Sequence, residues 1–374
     1  MKTVCTSMEG GNCIRYKEIK AELLCEIQDM LPDSRLDSRP MLCKRLETTR
    51  TTLDRAIAEL VGEGYLYTRS GSGTYVNNLK RHKMNASLVE NWGVIIPTVM
   101  ENVYAEIVKG IELYTAEKHI NVILCNSDED VDKQKRQIQR LMMSDVSGMI
   151  IVPTVCRSVQ EGYQLFKQLI EAKIPFVFCN RGVDGVEAPL ITSNDFYGAY
   201  IATKHLIEKG YRQIGYIAQT SYKTSQERCK GYVTALMEGN IPINRKLIVL
   251  EEKGRRNPPG YNTMERFMNE NPELDAVFCF NDIVADGCLL AMEKHGKKLS
   301  DEIGIIGYDN SPLCINKNPG LTSIAYKSTQ IGIKAAEVLQ KMIHRKYLSD
   351  FNLYLFQPEI VIRESCKGPR SRRI

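Results

Sequence analysis

The sequence has no uninterrupted apolar run approaching the roughly 18 to 20 residues of a membrane span. Its opening, MKTVCTSMEGGNCI (1–14), lacks the apolar centre of a secretory signal. The expectation is a cytoplasmic protein with no membrane partner. None of the 12 cysteines forms a CxxC pair, and zinc sites show paired ligand spacings. Neither a metal site nor a disulfide framework is expected; thiols in VFCN (177–180) and VFCF (277–280) read as small hydrophobes. Histidine is scarce, and His82, His119, His205, His295 and His344 fall on a polar stretch or on predicted helices away from strand ends. An excess of one charge is missing too. Fifty Lys and Arg against 45 Asp and Glu leave +5, so any nucleic-acid footprint must be local. Repeats and low-complexity segments are absent.

What the chain does have is length and apolar content: 374 residues, 43% hydrophobic, predict two or three domains. RYKEIKAELLCEIQD (15–29) places Tyr16, Ile19, Leu23, Leu24 and Ile27 on one helical face. A short helix is predicted from Pro40, whose fixed φ suits a first helical position, to about Glu47. A third starts near Thr49, turns Leu53, Ala56, Ile57, Leu60 and Val61 inward and stops at Gly62 and Gly64. The period then drops to two, and YLYTR (65–69), SGSG (70–73) and TYV (74–76) read as a hairpin. Three helices and a hairpin are the order of a winged helix-turn-helix. ETTRTTLDRA (47–56) is then the stretch for the major groove, since Thr and Arg at a helix start can bond phosphates or base edges. The alternative is that these threonines only cap and Arg50 is solvated. Gly71-Ser72-Gly73 lies between strands, so it reads as a tight turn rather than a phosphate loop.

On TRTTL (49–53) and EGYLYTRSGSGTYV (63–76), residues 15–76 resemble the DNA-binding domain of GntR-type bacterial regulators. The resemblance implies double-stranded operator DNA as a partner, contacted by Arg39, Thr49, Arg50, Thr51, Arg55, Gly71 and Gly73. Two departures matter. The family's Leu-Pro-Ser-Glu-Arg stretch reads LDSRP (36–40), which puts Pro40 at the phosphate-contacting position and Arg39 one residue early. Asp54 stands where Arg is frequent, and it would repel phosphate unless it accepts from a cytosine amine. Arg50 is therefore preferred to Arg39.

Residues 77–91 (NNLKRHKMNASLVEN) are polar and read as a linker, whose Lys80, Arg81, His82 and Lys83 either rest on phosphate or are solvated. From Trp92 the texture changes. WGVIIP (92–97), INVILC (120–125), VSGMIIV (146–152), IPFVFC (174–179), QIGYIA (213–218), AVFCF (276–280) and IGIIGY (303–308) read as buried parallel strands, with helices such as Val103–Lys118 and Lys133–Met143 between them. This predicts an α/β fold with doubly wound parallel sheets in two lobes. GVIIP…GIE (93–112), RCKGY (228–232), FNDIVADG (280–287), IGYDNSP (306–312), LTSI (321–324) and PEIVIRES (358–365) occur in the order of a known family. On them, residues 92–366 resemble the effector domain of LacI/GalR-type repressors and periplasmic sugar-binding proteins, of periplasmic-binding-protein type I. A GntR-type head on such a domain is the build of arabinose-type repressors. The implied organisation is a winged helix-turn-helix in 1–76, a linker in 77–91, an effector-binding and dimerising domain in 92–366, and a disordered basic tail, KGPRSRRI (367–374).

In such a fold the ligand lies at the carboxyl ends of strands, between the lobes. Thr98, Tyr104, Asn126, Asn180, Arg181, Asn194, Asp195, Asn281, Asp282 and Asp309 follow predicted strands. Their guanidinium, carboxylate and amide groups suit a polyhydroxylated ligand. The resemblance places Arg228, Asn281 and Asp309 at effector-contacting positions and aligns Arg181 with an arginine of some sugar receptors. The expected contacts are Tyr104, Asn126, Arg181, Arg228, Asn281, Asp282 and Asp309. The competing reading pairs Arg181 with Asp309 and has Asn281-Asp282, Asp282 above all, cap the helix near Ile283. Asp282 and Asp309 could also pair as glycosidase carboxylates, but nothing sets an acid with a raised pKa beside them, so no catalytic residue is assigned. SDEDVD (127–132) opens like a calcium loop but has Lys133 and Gln139 where Gly and Glu are needed, and its acids suit a helix N-terminus. No metal or cofactor is expected. Within EKGRRNPPG (252–260), Arg255 or Arg256 turned inward beside Arg181 and Arg228 would make the cleft electropositive and favour acidic sugars. The function expected is that of a ligand-responsive transcriptional repressor, a homodimer sensing a sugar or sugar derivative. The alternatives are a nucleobase or other metabolite as ligand, or a sugar-binding module that does not act on DNA.

Overall fold

Apolar periodicity builds the first of the two units into which the chain divides, Met1–Glu90 and Asn91–Ile374. The structure is a computed structural model that describes residues 16, 18–24, 26–27, 30–31, 33–77, 90–219, 223–251, 257–300, 302–344 and 353–369. Helix α1 (residues 18–24, with 16, 26 and 27 also helical) buries Tyr16, Ile19, Leu23 and Ile27, and leaves Leu24 partly covered. Helix α2 (Arg39–Arg45) carries Pro40 in its first turn, where a missing N–H costs nothing. Helix α3 (Arg50–Gly62) begins at Thr49, whose side chain accepts from the Thr52 amide, and turns Leu53, Ala56, Ile57 and Leu60 into the core. Strands β1 (Leu66–Arg69) and β2 (Gly73–Val76) pair antiparallel from Leu66↔Val76 to Arg69↔Gly73. Arg35 bridges to Tyr75 on the outer edge of β2. Gly71 turns the hairpin at φ +72°, a region L side chains avoid.

The second unit holds two six-stranded sheets. The first runs β13-β7-β6-β5-β3-β4: β3 (Glu90–Ile96), β4 (Ile120–Asn126), β5 (Gly148–Ile151), β6 (Phe176–Cys179), β7 (Leu190–Ser193) and β13 (Leu353–Phe356). The second runs β14-β12-β11-β10-β8-β9: β8 (Ile214–Gln219), β9 (Ile248–Glu251), β10 (Ala276–Cys279), β11 (Gly304–Asp309), β12 (Thr322–Ala325) and β14 (Glu359–Val361). Only β14 is shown antiparallel to its neighbour. Helices α4 (Asn102–Thr115), α5 (Val131–Met143), α6 (Val159–Glu171) and α11 (Ser328–Ile343) accompany the first sheet. Helices α7 (Asp195–Glu208), α8 (Lys223–Glu238), α9 (Tyr261–Glu270) and α10 (Asp282–Lys294) accompany the second. The chain passes between sheets after β7, β12 and β13.

Both faces of each sheet are covered, which is why the strands read as continuous apolar runs. Alternate residues go to different cores. Trp92, Val94, Ile96, Ile150, Val177, Ala276, Phe278 and Ile306 join one cluster. Ile95, Met149, Phe176 and Phe178 join a second, and Val277, Cys279 and Ile305 a third. Cys179 and Cys279 are fully buried and pack as apolar groups, as VFCN and VFCF suggested. Five strands escaped the sequence reading, β7, β9, β12, β13 and β14. Each has at most four residues; β5, β6 and β10 are as short, but they are buried throughout and read as unbroken apolar runs. Among the described residues no helix is long and apolar enough to cross a membrane.

Glycines set the helix spacing in both lobes. A Cβ on Gly110 of α4 would lie 2.1 Å from the Thr329 carbonyl oxygen of α11, and one on Gly231 of α8 would lie 2.1 Å from that of Phe196 on α7. Gly110→Ala therefore has to push α4 off α11 and should destabilise by about 1–3 kcal/mol. Gly62→Ala, which meets nothing within 4 Å, should leave stability unchanged or slightly raised. Urea unfolding of the two variants checks this, and equal stability of Gly110→Ala and the parent would show that the contact yields freely.

Candidate functional site

In the first unit, the exposed start of α3 is the most open cationic surface among the predicted contacts. Arg50 leaves 81% of its side chain exposed, with its Nε only 3.7 Å from Asp54. Thr51 is exposed beside it, while Thr49 is occupied as the cap. Arg39 is less free: its Nε meets Asp54 at 3.2 Å and its Nη1 donates to Thr74 Oγ1 at 2.8 Å. Asp54 thus has a cation on each side, which screens the repulsion its sequence position suggested. Arg55 lies over the Tyr16 ring, 4.1 Å from its centroid, and so helps hold α1 to α3. Gly71 has open space around it, whereas a Cβ on Gly73 would sit 2.8 Å from Arg35 Nε.

In the second unit, the C-terminal ends of the strands face each other across a cavity of about 260 Å³. Its walls include Tyr104, Arg181, Arg228, Asn281 and Asp309. Asn126 is not among its lining residues, and Asp282 is buried beneath the second lobe's wall. A neighbouring cavity of about 620 Å³ shares Asn180, Arg181 and Thr224 with it and is otherwise lined largely by the 182–188 loop, β7 and β13. The smaller cavity is the one that brings Arg181 together with Arg228, Asn281 and Asp309.

Each wall is built around a buried guanidinium. Arg181, just after β6, donates from Nε to the Pro153 carbonyl at 2.6 Å, from Nη1 to the Tyr104 hydroxyl at 3.1 Å, and from Nη2 to both Glu129 oxygens at 2.9 and 3.1 Å. The Arg181–Asp309 pair of the competing reading is not seen among the described contacts; Glu129, from the acidic stretch before α5, reaches the arginine within its own lobe. Burial pushes the Tyr104 hydroxyl up to about 12, so it stays protonated. With 5% of Tyr104 exposed, little of its ring is left for a ligand to stack on. Asn180, at φ +65°, donates to the Tyr326 hydroxyl at 2.8 Å.

Arg228, on α8, meets Asp195 Oδ1 from both Nε and Nη2 at 2.8 Å and donates from Nη1 to the Phe280 carbonyl. Its guanidinium lies over the rings of Phe280 and Tyr308, 4.5 and 3.5 Å from their centroids. Burial opposes its charge, but Asp195, Tyr308 and Asp309 hold its pKa above the ordinary arginine value. Burial raises Asp195, and the bonds from Arg228 pull it back. An arginine keeps its proton in proteins, so the pair stands as guanidinium and carboxylate.

Asp309 ends β11 at φ +99°, followed by Asn310 at φ +50°. Such backbone costs about 1–3 kcal/mol per residue, and three bonds over-determine it here. Ser323 Oγ accepts from the Asn310 amide at 3.1 Å, Asn310 Oδ1 accepts from Arg363 at 2.8 Å, and Asp282 accepts from the Ser311 amide at 2.7 Å. Asp282 also accepts from Ser323 Oγ at 2.6 Å. It is a buckle under the Asp309 turn, not the cap of α10. That cap is Asn281, whose side chain accepts from the Val284 amide at 3.0 Å. Sequence reading missed Glu129, Tyr308, Phe280 and Tyr326, which hold the arginines and Asn180; only Glu129 lay in a stretch singled out for its charge. Arg255 and Arg256 lie outside the described residues. Among the described residues no cluster of side chains could hold a metal ion.

Residues 90–353 match the family described as periplasmic binding proteins and the sugar-binding domain of the LacI family. The chain is 26% identical over 360 residues to the arabinose metabolism transcriptional repressor of Geobacillus stearothermophilus, covering 94% of this chain and 98% of that one. It is 29% identical over 293 residues to the transcriptional repressor PurR of Aliivibrio salmonicida, covering 78% and 86%. The transcription regulator CcpA of Lactococcus lactis superposes with a TM-score of 0.66 at 27% identity, over 75% of this chain and all of that one. A complex of the regulator CelR with cellobiose shares the fold at 22% identity, with a TM-score of 0.67 over 84% and 90%.

Two measurements follow from this geometry. Arg228→Met leaves Asp195 buried without a counter-charge, which should cost about 3–5 kcal/mol, and adding Asp195→Leu should recover most of it. A double variant no more stable than the single one would mean that the pair does not act as a unit. The second measurement concerns pH. Burial raises the Asp309 carboxyl well above its ordinary value, so the folded state binds that proton more tightly than the unfolded chain. Its stabilising effect is complete below the ordinary carboxylate pKa and is lost as pH rises through the folded value. Thermal unfolding of ligand-free Asp309→Asn should therefore fall less steeply with rising pH than that of the parent. Parallel curves would contradict this account of Asp309.

Proposed function

The chain belongs to the family of periplasmic binding proteins and LacI-type sugar-binding domains, and from that premise we propose that it is a ligand-responsive transcriptional repressor whose effector is a sugar. The observation that carries the reading is the cavity between the lobes, where Arg181 and Asn180 on one wall face Arg228, Asn281 and Asp309 on the other. Convergent donors and acceptors on two walls suit a ring of hydroxyl groups. The relatives that cover most of the chain are repressors, and the protein is not an enzyme. Ligand binding biases the lobes towards closure, and operator affinity reads out that bias.

The proposed reader of DNA is a GntR-type winged head, with α3 as the recognition helix and the β1–β2 hairpin as the wing. Arg50 and Thr51, exposed at the start of α3, support it. Arg39, Thr49, Arg55, Gly71 and Gly73 serve in this reading by holding α3 and the wing in place. One head covers a small footprint, so the proposal includes a homodimer on an inverted repeat, acting in the cytoplasm.

A duplex selected from a random pool by the full chain, followed by titration across salt, tests the head. Arg50→Ala should weaken binding by about 1–3 kcal/mol and lower the salt slope by about one. Its thermal shift with effector should match the parent's. Undiminished DNA affinity at physiological salt would remove α3 from the groove. A thermal-shift screen of sugars and nucleobases tests the sensor, because a ligand that binds only the folded state raises its stability. A response to nucleobases alone would overturn the sugar reading.

A further inference from the structure

The exposed face of α3 sets an acid among cations. Arg50, Asp54 and Ala58 follow one another at i, i+4 spacing, so they form one row along the helix, and all three are exposed. Leu53, Ala56, Ile57 and Leu60 turn the opposite way, into the core, and Arg55 is drawn aside over the Tyr16 ring. The row that can enter a groove is therefore the one on which Asp54 sits, and Ala58 is too small to hold it off. Asp54 leaves 48% of its side chain exposed, with Oδ1 at 3.2 Å from Arg39 Nε and Oδ2 at 3.7 Å from Arg50 Nε. A carboxylate offers about four lone-pair sites, and these two contacts engage at most half of them. The flanking arginines also remove the obstacle to an acid near DNA, since phosphates meet two cations for each anion there.

Resting on the reading of α3 as the recognition helix, we infer that Asp54 reads a base and selects cytosine, accepting from its N4 amine in the major groove. The pattern of groups in that groove singles cytosine out. Guanine presents two acceptors, and thymine an acceptor and a methyl, so neither has a proton for a carboxylate. Adenine has a donor at N6, but its N7 acceptor would face the second carboxylate oxygen; cytosine presents a donor with no acceptor beside it. One helical turn separates Asp54 from Arg50, a rise of about 5.4 Å against about 3.4 Å between base pairs. The cytosine therefore lies within about two base pairs of the contact made by Arg50.

The test is selection of duplexes from a random pool by the full chain, by Asp54→Asn and by Asp54→Ala. The parent should fix a cytosine at a position where Asp54→Asn fixes adenine, because an amide both accepts from N6 and donates to N7. Asp54→Ala should be indifferent there. On the parent's own duplex, N4-methylcytosine at that position puts a methyl where the amine donated, and should weaken binding about tenfold or more. Both variants release Arg39 and Arg50 from their counter-charge, so a uniform gain of affinity at low salt is expected whether Asp54 reads a base or only screens; the change of base is expected only if it reads. Variants that keep the parent's preferred sequence overturn the inference and leave α3 as the recognition helix. If neither variant selects a sequence, the methyl scan of the parent decides: full affinity with each cytosine of the site methylated in turn overturns the inference. A parent that selects no duplex overturns the reading of α3, and the inference with it.

Discussion

A guanidinium withdrawn from water needs an anion and donors' partners close at hand, and the second lobe is arranged around meeting that need for Arg228. Asp195, which supplies the anion, is the first residue of α7, the helix that the chain enters on leaving the first lobe. Phe280 follows β10 and Tyr308 lies on β11, so the rings over the guanidinium come from two adjacent strands. α7 can approach because Gly198 has no side chain: a Cβ there would lie 2.3 Å from the Tyr308 hydroxyl. A buried ion pair is weak evidence of net stability. Its effect here is positional, because four elements that carry cleft residues are registered by one side chain.

Asp309 follows Tyr308 directly, so registering that ring also registers the acid beside it. The remaining freedom is taken up at Asn310 by Ser323 and Arg363 and at Ser311 by Asp282. A carboxylate that looks like a ligand contact in FNDIVADG is instead spent on backbone geometry. Sequence alone could not separate these roles for Asp282 and Asp309. Both follow strands and both are acidic; only the path of the chain after β11 puts one under the other.

The same limit explains what was and was not legible elsewhere. Strands with both faces buried announce themselves as apolar runs, and the amphipathic face of α1 as a helical period, because burial is written into residue type. Partners across the fold are not. Glu129 is one of several acids before α5, and nothing local distinguishes it as the partner of Arg181. Tyr326 holds Asn180 from the crossing after β12, 146 positions away. In the first unit, Arg39 and Asp54 looked like two separate oddities in the sequence, and they are linked: the arginine's Nε meets the carboxylate at 3.2 Å, so each offsets the other's charge.

Outside their crossings the lobes are tied by packing as well as by charge: Val155 of the first lobe packs against a core cluster of the second. Lys223 of α8 meets Asp184 of the first lobe at 2.6 Å, but both side chains are largely exposed, and such pairs contribute about 0–1 kcal/mol. Each cleft arginine takes a counter-charge from its own lobe, Glu129 for Arg181 and Asp195 for Arg228. In the proposed function a ligand that bonds both walls adds cross-lobe interactions of its own. Such a ligand shifts two states by its differential affinity and by nothing else. With the counter-charges of the buried Arg181 and Arg228 supplied within each lobe, that differential comes in the proposed function from the bonds the ligand itself makes.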